Sequence, residues 1–180
     1  MWKSIDVDIV REIDPKAIRT FENADAEDGI LLNHSYIDMR GYSIADAEHV
    51  VAEEYELLSA IAAVEGDIER VDELIEQLYE DASELSGFDV GTAGTIFALS
   101  AAGAAPISSC NGGLLGEPGH SSQVPHILFS VELSHLELIL SAADEAKVGV
   151  INNSGHVEVF AATIPALNAF AMAILRKLRG

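Results

Sequence analysis

The chain has 180 residues, 49% of them apolar and 22% charged, and carries a formal charge of −20 at pH 7. That length suits one domain, or one domain with a helical appendage, and it can bury about 70% of its unfolded surface. Its one cysteine excludes an internal disulfide framework, and no apolar run of about 18 residues marks a membrane span.

The charge is unevenly spread. Residues 1–90 hold 24 acidic and 6 basic side chains, whereas residues 91–180 hold 6 and 4. An acidic field of that strength repels nucleic acid and anionic membrane, which need clustered Lys and Arg. It attracts a basic protein surface, and it equally suits a salty cytoplasm. The opening "MWKSIDVDIVREID" has no apolar core of the kind a signal peptide needs, so a cytoplasmic location is expected. A homo-oligomer is compatible with this composition.

In chain order, Ser4 caps a helix over Ile5 to Ile13. Asp14-Pro15 restarts it to about Asn23, giving a helical region 5–23. "DAEDG" (Asp25 to Gly29) turns the chain, and "ILLNHSYIDM" (Ile30 to Met39) reads as short extended or irregular structure. Ser43 opens a long helix from Ile44 to about Val64. "EGD" (Glu65 to Asp67) leads into a second, Ile68 to Leu85, whose Ile68, Val71, Ile75, Leu78, Ala82 and Leu85 form a seam at steps of three and four. The two should make an acidic antiparallel hairpin over 44–85. Glu53, Glu54, Glu56, Glu73, Glu76 and Glu80 read as its solvated faces. No Glu-x-x-His pair suggests a di-iron site.

Asp89 caps a helix of small residues, Val90 to Ala102, ended by Gly103. Being apolar all round, it should be buried. Strands follow at Ile107–Asn111 and His126–Val131, a helix to Ala146, strands at Val148–Ile151 and His156–Ala161 around a tight "NNSG" turn, and a helix from Pro165 to about Lys177. "HILFSVELSHLELILSAA" and "HVEVFAATIPALNAFAMAIL" echo one another, a doubled strand–strand–helix unit. The expected fold is α+β: a four-stranded, mostly antiparallel sheet built from two ββα units, with the acidic hairpin and the small-residue helix packed on it. The acidic helical region spans 1–88 and the α-ββα-ββα region spans 89–180, as one compact unit.

The connection Gly112 to Pro125 is far longer than the second turn, and long loops in compact domains often carry function. It begins at the only cysteine. Cys110 with His120 or His126 could form a nucleophile and base, because an imidazole stabilises the thiolate. Asn111, Gly112, Gly113 and Glu117 complete the candidate binding set, with the glycine amides as an oxyanion or phosphate nest. Cys110, His120, His126 and Glu117 could also make a mixed metal site. No recognised ligand spacing supports one, so neither metal nor cofactor is expected. "CNGG" (Cys110 to Gly113) is similar to the Gly-Cys-Asn-Gly-Gly of papain-like cysteine peptidases, where that cysteine forms a disulfide. A chain this short, with one Cys and no Cys-Gly-Ser-Cys-Trp-type motif, does not fit that family.

Two functions follow. The charge points to a non-enzymatic acidic binding protein, immunity- or inhibitor-like or an assembly subunit, engaging a partner through its helices or the 112–125 loop. The cysteine points instead to a small enzyme for hydrolysis or thiol transfer, using Cys110 with His120 or His126.

Overall fold

The computed structural model describes residues 4–23, 38–64, 66–80, 83–113, 120 and 122–180. Among these the architecture is α+β, with one mixed sheet of five strands: β1 (Arg11–Glu12), β2 (Ala104–Cys110), β3 (His126–Val131), β4 (Gly149–Asn153) and β5 (His156–Phe160). The helices are α1 (Ile44–Ala63), α2 (Ile68–Glu80), α3 (Ala93–Ala101), α4 (Leu133–Ala146) and α5 (Ile164–Arg179), with short 3₁₀ turns at Pro15–Ala17 and Glu84–Gly87.

The strand order is β1-β4-β5-β3-β2. Both ββα units are present: β2-β3-α4 and β4-β5-α5, each an antiparallel hairpin followed by a helix. They join through the antiparallel pair β3–β5. The fifth strand is the correction to the expected sheet. β1 adds in parallel at the β4 edge, with Arg11 opposite Val150 and Glu12 opposite Ile151. No helix occupies 5–13. Ile5 donates its N–H to the Ala162 carbonyl and Val150 donates to Val10, so the segment runs extended along the sheet. In "SIDVD" apolar and acidic residues alternate with a period of two, a pattern that ends at Ile9, which is 39% exposed. Ile5 and Val7 are half-buried while Asp6 and Asp8 are exposed. Asp14 does cap the turn that starts at Pro15, accepting from Lys16 N–H at 3.0 Å, but that turn is three residues long. The segment expected at Ile30 to Met39 lies mostly outside the described residues.

Register divides the sheet into two faces. Ile127, Phe129, Val131, Val150, Val157 and Val159 share one face and are each 0% exposed. They join α3, α4 and α5 in one hydrophobic cluster that also takes in the buried stripe of α1. Cys110, His126, Leu128, Glu158 and Phe160 lie on the other face. Near β4 the Phe160 ring covers Gly149, where any Cβ would collide with it.

The helices follow the expected order with shifted ends. Ser43 and Asp46 form a reciprocal capping box at the start of α1. α2 is described to Glu80, and Leu85 lies instead in the 3₁₀ turn, which Ser83 caps by accepting the Leu85 N–H at 3.0 Å. In the seam of α2, Val71 is buried but Ile68 is 61% exposed. The α3 helix is buried along eight of its nine residues; it carries no charged side chain, and the buried Thr95 hydroxyl donates to the Leu167 carbonyl at 3.0 Å.

Candidate functional site

The β2 strand delivers Cys110 to its last position, directly opposite His126 on β3. The imidazole at the thiol, however, belongs to His120: its Nδ1 lies 3.6 Å from Cys110 Sγ. The His126 ring turns away and donates from Nδ1 to the Val124 carbonyl at 3.0 Å. A third residue completes the group. One atom each of Asp89, Cys110 and His120 all lie within 4.8 Å of one another. Burial is graded across the three, with Cys110 buried, His120 half-buried and Asp89 exposed.

Asp89 was expected to cap the small-residue helix. Its carboxylate points elsewhere, because α3 begins at Ala93 and takes Thr92 as its N-cap. Asp89 Oδ2 accepts the Asn111 N–H at 3.3 Å, while the Asp89 carbonyl accepts from the Thr92 hydroxyl at 2.8 Å. The carboxylate is thereby held across the end of β2. Nothing local to residues 86–92 announces this, since the partner lies 22 residues away.

The Asn-Gly-Gly segment works as a clasp. Asn111 donates its amide to the Val90 carbonyl at 3.2 Å and accepts Gly113 N–H at 3.0 Å. Gly112 N–H donates to Cys110 Sγ at 3.4 Å. Both glycines have positive φ, 73° and 83°, which a side chain disfavours. At Gly112 a Cβ would also stand 2.7 Å from the Gln123 carbonyl oxygen, so the segment leading into β3 closes over it. Hence one amide is directed at sulfur and the other at a side chain. The expected nest for an oxyanion or phosphate is already filled from within. Glu117 lies outside the described residues.

A second carboxylate departs from expectation more sharply. Glu54, read as part of a solvated face, is 1% exposed. Its Oε2 accepts from Gly94 N–H at 3.2 Å and from the Asn168 amide at 3.4 Å, joining α1 to the start of α3 and to α5. Burial pushes its pKa up to about 7, against the opposing pull of those donors and of the Gly91 and Ala93 amides. A Cβ at Gly94 would stand 2.6 Å from that oxygen and would force the carboxylate to shift.

His156 is a buried sheet residue whose Nδ1 meets Ser130 Oγ at 2.8 Å, within the β3–β5 region. On the helical side, a groove of about 460 Å³ runs between α1 and α5, lined by Val51, Tyr55, Met172 and Leu175, with a Glu48–Arg179 ion pair on its wall. It shares no residue with the Cys110 group. Among the described residues no helix is long and apolar enough to cross a membrane. Compared with known proteins, the chain matches no family model, no curated protein and no solved structure.

Proposed function

We propose that the protein is a small cysteine-dependent enzyme that catalyses thiol transfer, with Cys110 as nucleophile, His120 as its base and Asp89 as the charge that steadies the imidazolium. The carrying observation is the 3.6 Å approach of His120 Nδ1 to Cys110 Sγ beside the Asp89 carboxylate. A thiol next to an imidazole and a carboxylate has the parts of an activated nucleophile.

The filled glycine amides favour transfer over hydrolysis. Acyl chemistry needs donors aimed at a developing oxyanion. Attack on a disulfide puts the developing charge on sulfur and needs none. In the first step the Cys110 proton passes to His120, and the thiolate attacks one sulfur of a disulfide R–S–S–R′. The Cys110–S–S–R bond forms as the S–S bond to R′ breaks, and R′S⁻ takes the proton from the imidazolium. The chain has one cysteine, so a second thiol, R″SH, must resolve the adduct. It releases R–S–S–R″ and restores Cys110. The buried position of Cys110 restricts this chemistry to slender substrates.

Incubation with a low-molecular-weight disulfide should give one adduct on Cys110 by intact mass. It should form faster than on the same chain in denaturant, and at least tenfold faster than in His120→Ala. Formation no faster than on the unfolded chain would end this reading.

The α2 face supports a second reading, capture of a basic protein surface. Glu69, Asp72, Glu73 and Glu76 are all exposed at helical spacing. Binding to an immobilised basic protein should then fall steeply with salt and weaken when these four are changed to Gln. Salt-insensitive binding would count against it.

A further inference from the structure

We infer that Asp89, Cys110 and His120 form a binding site for a single zinc ion, which regulates the thiol by occupying it. Binding needs only the geometry; the silencing of the thiol rests on the thiol-transfer reading above.

A tetrahedral zinc with bonds of about 2.3 Å to sulfur and about 2.0 Å to nitrogen holds those two atoms about 3.5 Å apart. Cys110 Sγ and His120 Nδ1 are 3.6 Å apart. The third donor is already within 4.8 Å of both. Asp89 is exposed, so its carboxylate can close the remaining distance without displacing core side chains. One thiolate, one imidazole and one carboxylate with an open fourth position is a zinc donor set.

The surroundings fit that role. Cys110 ends a strand whose position is fixed by pairing with β3. The Asp89 carboxylate is oriented by the Asn111 N–H, as outer-shell partners orient metal ligands elsewhere. Gly112 N–H is directed at Sγ at 3.4 Å, the outer-shell contact that a metal-bound sulfur accepts. Charge gives a further reason. A donor set of one sulfur and one carboxylate supplies two formal negative charges when bound, which match a dication.

The ion and the nucleophile exclude one another, because zinc takes the sulfur lone pair and the imidazole nitrogen that thiol transfer needs. Zinc would therefore act as a reversible block, with the graded burial leaving its open side toward solvent.

Cobalt(II) added to the metal-stripped full chain reports on this directly, since the chain's one cysteine is the sole source of a sulfur-to-cobalt charge-transfer band. One equivalent should produce that band with tetrahedral visible absorption, and zinc should displace it. Cys110→Ser should abolish the band. His120→Ala and Asp89→Asn should each weaken zinc binding about tenfold or more, by competition with a chromophoric chelator. His135→Ala, placed against Gly103, should leave it unchanged. Zinc should also stop iodoacetamide labelling of Cys110, and a chelator should restore it. No cobalt–sulfur band in the folded wild-type chain would overturn the zinc site. If metal-free Cys110 still labels rapidly in that case, the thiol reading survives alone. A cobalt–sulfur band on a chain whose metal-free thiol is inert would do the reverse.

Discussion

Glu54 and Asp89 are both carboxylates that accept a backbone N–H from a distant part of the chain, yet they have opposite surroundings. Glu54 sits among α1, α3 and α5 with 1% exposure, and burial raises its pKa to about 7. Asp89 is exposed at the edge of a loop, beside a thiol and an imidazole. The same chemical group is thus an interior bolt in one place and an exposed neighbour of a thiol and an imidazole in the other. At Glu54 burial penalises the ionised form, so the donors around it hold a carboxyl group set deep in the core.

The comparison breaks most visibly at Glu54. Glu54→Ala should strip the Gly94 N–H and the Asn168 amide of their acceptor and leave a void between three helices. A loss of about 2–4 kcal/mol in denaturant unfolding is expected. Loss below about 1 kcal/mol would mean that the bolt contributes little.

The next effect is on pH dependence. The folded pKa of about 7 lies above the ordinary glutamate value of 4.5, so the folded chain holds a proton that the unfolded chain releases in between. The Glu54 contribution is fully present below the unfolded value and is lost as pH rises through the folded one. The change is on the order of 3 kcal/mol across that window. In Glu54→Gln this component of the pH profile should flatten. A profile of the same slope in both proteins would contradict the assignment.

The smallest effect on stability is expected at Asp89. Asp89→Asn keeps an acceptor for the Asn111 N–H and should shift stability by less than about 1 kcal/mol. It should nonetheless slow disulfide adduct formation at Cys110 severalfold. Slowing that tracks a large loss of stability would make Asp89 a structural residue and remove it from the site.

The two carboxylates also mark what could be read from the residues. The doubled ββα unit was legible because each copy carries its own periodicity, with apolar runs at His126–Val131 and His156–Phe160 each followed by an amphipathic helix. A Cys110–histidine pair was legible because His120 and His126 both follow the cysteine closely in the chain, but the choice of His120 needed the fold. Glu54 was not. It stands in "AEEYE" among carboxylates that do reach solvent, and its burial depends on Gly94 and Asn168, 40 and 114 positions away. Asp89 was hidden by a plausible local role as a helix cap. The N-terminal strand is not legible because Ser4 and Asp14-Pro15 are helix-start signals that bracket the short alternating stretch. Local pattern found the elements; the acceptors chosen by distant backbone donors needed the fold.

The rate at which iodoacetamide labels Cys110 at pH 7 in the metal-stripped, folded chain tests the central claim most directly. Labelling should be faster than in the same chain unfolded in denaturant, and should drop at least tenfold in His120→Ala without loss of folded structure. Labelling slower than in the unfolded chain, and indifferent to His120, would show Cys110 to be an ordinary buried thiol.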